Sequence, residues 1–186
     1  MGYVSRLIRG NRLILGALLV ALTGCTGVSV SDYAGEAPML DPEVFFNGQL
    51  RAAGVVKNRG GKVIRRFTAD IKAYWRDGVG TLEEDFVFDD NSEERRVWTL
   101  EPTEAGRYRA TAPDVVGAGQ ADVSGNAMFL DYVLRVPYKD GTIDVRIDDR
   151  MYLVTPDTLI NESVMRKFGF RVGEILLSIE RIDADA

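Results

Sequence analysis

"KVIRRFTADIKAYWR", residues 62–76, alternates its side chains with a period of two. Val63, Phe67, Ala69, Ile71, Ala73 and Trp75 fall on one face, and Arg66, Thr68, Asp70 and Lys72 on the other. A strand presents successive side chains to opposite sides, so the pattern predicts a long strand with one face buried and one in water. The preceding stretch, 45–57 "FFNGQLRAAGVVK", alternates in the same way through Phe46, Gly48, Leu50, Ala52, Gly54 and Val56. "NRGGK" at 58–62 joins the two as a glycine-bearing hairpin turn.

Further alternating segments lie at 80–90, 94–102, 106–113, 126–138, 142–154 and 170–182, which brings the strands to about eight. The glycines at 117, 119 and 125 in "VVGAGQADVSG" read as a bulged turn or loop at a barrel rim, because no helix follows them to hold a phosphate. One segment has another period. In "DTLINESVMRKFG", 157–169, Asp157 or Thr158 serves as cap, Ile160, Val164 and Phe168 recur every four residues, and Gly169 is a stop, so a short helix is expected before the last strand.

Sequential strands with short connections must bury one face and hide their edges, and closing into a barrel does both. The expectation is therefore all-β: a lipocalin-like (calycin) antiparallel barrel of about eight strands. Small inward residues, Gly48, Ala52, Gly54, Ala69, Ala73, Ala110 and Ala112, favour an internal cavity. A two-sheet sandwich packed solid is the alternative.

Upstream, Arg6, Arg9 and Arg12 precede an apolar run from Leu13 to Leu22, which is about half the roughly 20 residues a membrane-spanning helix needs. Leu22-Thr23-Gly24-Cys25 fits the bacterial lipobox, so residues 1–24 read as a lipoprotein signal peptide and Cys25 as the lipid attachment point. Two acyl signals on one residue suffice for stable anchoring. Thr26 stands where an aspartate would mark inner-membrane retention, and the expected location is the periplasmic face of the outer membrane. Residues 25–42, rich in small and polar side chains, read as the lipidated N-terminus and its tether, and residues 43–186 as the barrel domain.

Removing the signal takes three arginines and no acid from a chain of formal charge −5, which leaves −8. No basic stripe survives that could displace counterions from phosphates, so no nucleic-acid partner is expected. The chain has no histidine and no cysteine besides Cys25, which removes the commonest general base, histidine ligation and any histidine triad. Neither an enzyme nor a cofactor or metal is expected.

Strand parity places several polar residues among the inward positions. Arg65 shares a face with Phe67 and Trp75, Glu84 with Leu82 and Phe86, and Arg96 with Trp98. Asp114 follows Tyr108 and Ala110, Asn126 leads Met128 and Tyr132, and Asp149 lies on the face of Ile147 and Met151. Buried charges are costly unless paired, and two arginines facing three carboxylates could form a structural network. Alternatively, Arg65 and Arg96 form a fork for the carboxylate or phosphate of an amphiphile lying along Trp75, Trp98 and Tyr132. The candidate ligand-binding set is thus Arg65, Glu84, Arg96, Asp114, Asn126, Trp75, Trp98 and Tyr132.

In "FFNGQLRAAGVVKNRGGKVIRRF" (45–67), "LEEDFVFDD" with "RRVWTL" (82–100), "APDVVGAGQADVSGNA" (112–127) and "LINESVMRKFGFRVGEILLS" (159–178), the chain resembles the domain-of-unknown-function 3833 family of Gram-negative lipoproteins. The resemblance implies a lipocalin-like barrel and a connection with lipids, and it carries over no catalytic residue. The functional expectation is an outer-membrane lipoprotein that binds or carries a lipid or small hydrophobic ligand, with the membrane as partner through its N-terminal lipid. A structural or assembly lipoprotein with a solid barrel that docks a protein is the alternative.

Overall fold

A computed structural model describes residues 27–182. The signal peptide and Cys25 lie outside them. Ten strands run in sequence: β1 (Gly48–Asn58), β2 (Val63–Arg76), β3 (Val79–Phe88), β4 (Glu93–Glu104), β5 (Arg107–Thr111), β6 (Gly119–Ser124), β7 (Ala127–Tyr138), β8 (Gly141–Thr155), β9 (Thr158–Lys167) and β10 (Phe170–Ile182). Every strand pairs antiparallel with its neighbours in sequence, and β1 also pairs with β10, so the sheet closes and leaves no edge.

The barrel expected from alternation is present, with ten strands in place of eight. One added strand is β6, in the stretch expected as a loop. Its inward residues, Gly119, Ala121 and Val123, are too small to give a strong apolar signal, and Gly119 has to be small because a Cβ there would lie 2.9 Å from that of Tyr132. The other is β9, which replaces the expected helix. Its inward positions read Leu159, Asn161, Ser163 and Met165, so two polar residues interrupt the apolar face while outward Ile160 and Val164 imitate a helical spacing. Phe168 and Gly169 form the β9–β10 turn.

Inward side chains from all strands make one core, including Leu50, Ile71, Trp98, Leu130, Ile147 and Leu159. The two ends of the barrel differ. At one, a short helix α1 (Pro42–Phe45), capped by the Asp41 side chain, carries Phe45 and Phe46 into the opening, where both are buried with Leu40. Phe46, expected as the first inward residue of β1, is therefore part of this cover, and the strand begins two residues later. The Trp75 indole donates to the Phe46 carbonyl at 2.9 Å, and Arg181 donates to the carbonyls of Val44 and Phe45. Farther upstream, a 3-10 turn (Val30–Tyr33) sets the Tyr33 ring against Phe129 and Tyr152, so part of the segment expected as a tether packs on the barrel. The chain passes so close to the β6–β7 turn that a Cβ on Gly125 would meet the Tyr33 carbonyl. The described part of the N-terminal segment packs at this end; at the opposite end the β5–β6 connection buries Val115 beside Leu134 of β7.

Candidate functional site

Inside the barrel lies a cavity of about 130 Å³, its wall running from Phe46 at the covered end to Phe67, Phe86 and Ile175 near the opposite one. Ala52 and Ala69 line it, as their small size suggests. Other small positions are filled by neighbours: at Gly54 the Phe67 ring occupies the place of a side chain, 2.6 Å from where a Cβ would sit. The volume approaches that of an apolar cavity of about 150 Å³ that holds benzene, and falls below the roughly 300–1,000 Å³ of drug-sized pockets.

Most of the wall is apolar, and the exceptions gather on two sides. On one, Glu84 of β3 stands opposite Arg96 of β4 in the ladder. The Arg96 guanidinium grips Asp114 from two nitrogens, with Nη2 at 2.7 Å and Nε at 3.0 Å from Oδ2. Asp114 comes from the β5–β6 connection, which leans on β7 through the Asp114 carbonyl accepting from the Arg135 amide. Glu84 makes no ion pair within 4 Å among the described residues. Burial pushes its carboxyl up to about 7; Arg96 opposes the shift, and Asp149 and Asp114 add to it. Arg96 itself is held above its ordinary value: burial works to lower it, and the facing Glu84, Tyr132 and Asp114 outweigh burial.

On the other side, Asp149 of β8 accepts from Asn161 Nδ2 and from Ser163 Oγ at 2.7 Å, both on β9. Burial raises its carboxyl to about 6 against these two hydrogen bonds. Tyr132 of β7 lines the cavity between the two sides, its hydroxyl pushed well up by burial and then by the charge of Asp149. The wall thus holds two carboxylates and one guanidinium, and that guanidinium is already committed to Asp114 behind it. Such a site suits a small apolar body carrying a neutral or cationic hydrogen-bond donor, because an added anion would meet unpaired like charge.

Of the residues expected at the site, Glu84, Arg96, Trp98 and Tyr132 line the cavity, and Asp114 stands behind it as the partner of Arg96. Arg65 and Arg96 do not form a fork. Arg65 caps the opposite end, its guanidinium 3.2 Å from the centre of the Phe88 ring and bonded to Glu94 at 3.1 Å and Ser92 at 2.6 Å. Trp75 serves the cover through Phe46, and Asn126 sits in the β6–β7 turn, where its amide donates to the Leu153 carbonyl. Sequence reasoning missed Asn161 and Ser163. The signal for them was a two-residue alternation of Leu159, Asn161, Ser163 and Met165, which the helical spacing beside it obscured. Among the described residues, no group of three acidic or thiol side chains is placed to hold a metal.

The family described as "Protein of unknown function (DUF3833)" matches residues 19–181. No curated protein matches the chain. Among solved structures, the S-type phycobiliprotein lyase CPES from Guillardia theta is similar at 14% identity and a TM-score of 0.54, over 75% of this chain and 89% of that one. A structure titled EF1p2_mFAP2b bound to DFHBI is similar at 9% identity and a TM-score of 0.43, over 74% of this chain and 94% of that one. At such identity the lyase likeness is one of fold.

Proposed function

The chain belongs to the DUF3833 family, and we propose that it is an outer-membrane lipoprotein, acylated at Cys25, whose barrel binds a small hydrophobic ligand, or the end of a lipid chain, in the periplasm. The observation that carries the ligand reading is the internal cavity, whose apolar wall is broken by Glu84, Arg96, Tyr132 and Asp149. A barrel serving only as a packed scaffold gains nothing from holding Glu84 inside without a salt-bridge partner. The apolar wall supplies affinity, and the few polar groups orient one end of the ligand. The charge balance favours an amine or hydroxyl headgroup over the carboxylate or phosphate that a two-arginine fork would hold.

Native mass spectrometry of the protein released from its own cells, together with NMR titration by benzylamine, benzyl alcohol and benzoate, tests this. A co-purifying small amphiphile is expected, with the amine and alcohol shifting resonances of cavity residues and benzoate weaker by roughly tenfold at neutral pH. A ligand-free protein whose cavity resonances ignore all three compounds would overturn the reading. For the anchor, Cys25→Ser is expected to abolish acylation and membrane fractionation, and a processed, membrane-bound variant would refute it.

A further inference from the structure

The end of the barrel that the N-terminal segment leaves uncovered has a surface that the ligand reading does not use. The β9–β10 turn places Phe168 at φ +52° and Gly169 at φ +81°. Hairpin turns with two left-handed residues favour Asn-Gly or Asp-Gly, because a short polar side chain tolerates that backbone. The β2–β3 turn, with Asp77 at +52° and Gly78 at +77°, follows the preference. Phenylalanine is a costly choice at the same position, and packing does not compensate for it, since Phe168 is 88% exposed and Phe170 67% exposed.

The neighbouring β1–β2 hairpin joins this tip: Arg171 donates to the Arg59 carbonyl at 3.4 Å, and Ile64 is a further exposed apolar side chain. Cations surround the pair of tips. Lys167 lies over the Phe168 ring at 4.9 Å, and Arg59 and Lys62 form no ion pair among the described residues. The acid closest in sequence, Glu174, is already paired with Lys57 and Arg171. Other acids of this end lie at the β3–β4 turn, where Arg65 and Arg66 meet Asp89, Asp90 and Glu94. Asp140 and Asp144 lie at the β7–β8 turn, where Arg135 pairs with the Asp144 carboxylate and Lys167 donates to the Asp144 carbonyl. A basic, aromatic patch on a protein of net negative charge is therefore local to two adjacent hairpin tips.

We propose that these two tips dock on an anionic lipid bilayer, with Phe168 and Phe170 entering the headgroup region and Arg59 and Lys62 meeting lipid phosphates. Exposed aromatics suit the interface, and each basic side chain near an anionic surface adds attraction. The N-terminal segment packs at the other end of the barrel, where Tyr33 meets Phe129, Tyr152 and the turn at Gly125. If Cys25 carries the lipid, as proposed above, the tips face away from the anchoring membrane and address a second one. The cavity then lies between two bilayers, with its wall nearing the docked end at Phe86 and Ile175.

Two measurements test this. The described barrel closes without the leader, so the chain from residue 26 onward can be sedimented with vesicles of phosphatidylcholine alone or mixed with phosphatidylglycerol. Binding to the anionic vesicles is expected to exceed binding to the neutral ones by on the order of tenfold. The double variant Phe168→Ser/Phe170→Ser should lose it with an unchanged melting temperature, and Arg59→Glu/Lys62→Glu should lose the anionic preference. A wild-type chain that ignores both vesicle types, or a double variant that binds equally, overturns the docking of these tips on a bilayer. In the second measurement, the acylated protein in neutral vesicles is mixed with separate anionic vesicles, and capture of the second population is expected. Sedimentation of the lipid-free chain without capture by the anchored protein would retain the docking patch and overturn its opposition to the anchor.

Discussion

The two ends of this barrel are built from similar residue types put to opposite use. At the covered end, Phe45 and Phe46 are almost wholly buried, and a tryptophan and an arginine bind the carbonyls that carry them. At the other, Phe168 and Phe170 stand in solvent on a hairpin tip. Burying an aromatic side chain stabilises by about 1.5–3 kcal/mol. The first pair therefore contributes to folding, and the second contributes only when something else covers it. The cavity lies between, its apolar wall broken by Glu84, Arg96, Tyr132 and Asp149.

The largest effect should come from opening the covered end. Phe46→Ala is expected to cost about 3–5 kcal/mol by denaturant unfolding; a loss below 1 kcal/mol would mean that the cover is not integral to the barrel. Next is the pH response of the cavity. Burial raises Glu84 to about 7 from its ordinary 4.5, so the folded state holds the proton that the unfolded state has released. That contribution is fully present below pH 4.5, declines as pH rises, and is gone above about 7, a span worth up to about 3 kcal/mol. Glu84→Gln should flatten this decline, and equal slopes for the variant and the wild type would show that Glu84 is not the group responsible. Asp149, raised to about 6, should leave a shallower residual slope below that pH.

A smaller loss is expected from Gly125→Ala, whose new methyl would collide with the Tyr33 carbonyl at a left-handed backbone position. About 1–2 kcal/mol is the expected cost, with faster amide exchange confined to residues 29–36. Exchange unchanged there would show that the upstream segment does not depend on this contact. Phe168→Ser should move stability by less than about 0.5 kcal/mol in either direction. A larger loss would place the ring in the fold and remove the contrast between the ends.

Period-two alternation made β2 and most other strands legible, because a half-buried strand has to write its two faces into successive residues. It failed at β6 and β9 for separate reasons. In β6 the inward side chains shrink to make room for Tyr132, and in β9 they become polar to serve Asp149. Asn161 and Ser163 of β9 line the cavity, where the needs of a site displace the ordinary pattern of a core, and Gly119 of β6 packs behind Tyr132. The inward orientation of Glu84 and Arg96 was likewise legible from parity. Their partners were not, since Asp114 reaches Arg96 from a loop and Arg65 turns to Glu94 across the rim.

By itself, then, the sequence determined antiparallel strands with one buried face and the inward direction of Glu84, Arg96 and Asp149, since both follow from local periodicity, while closure into a barrel came from β1 meeting β10. It also determined what the chemistry has to work with: a single cysteine upstream of the barrel and no histidine. Only the tertiary structure decided which charge meets which, how much space the small residues leave, and which phenylalanines are covered. Those depend on strands far apart in the chain being brought around one axis, and on an upstream segment choosing one end of the barrel to close.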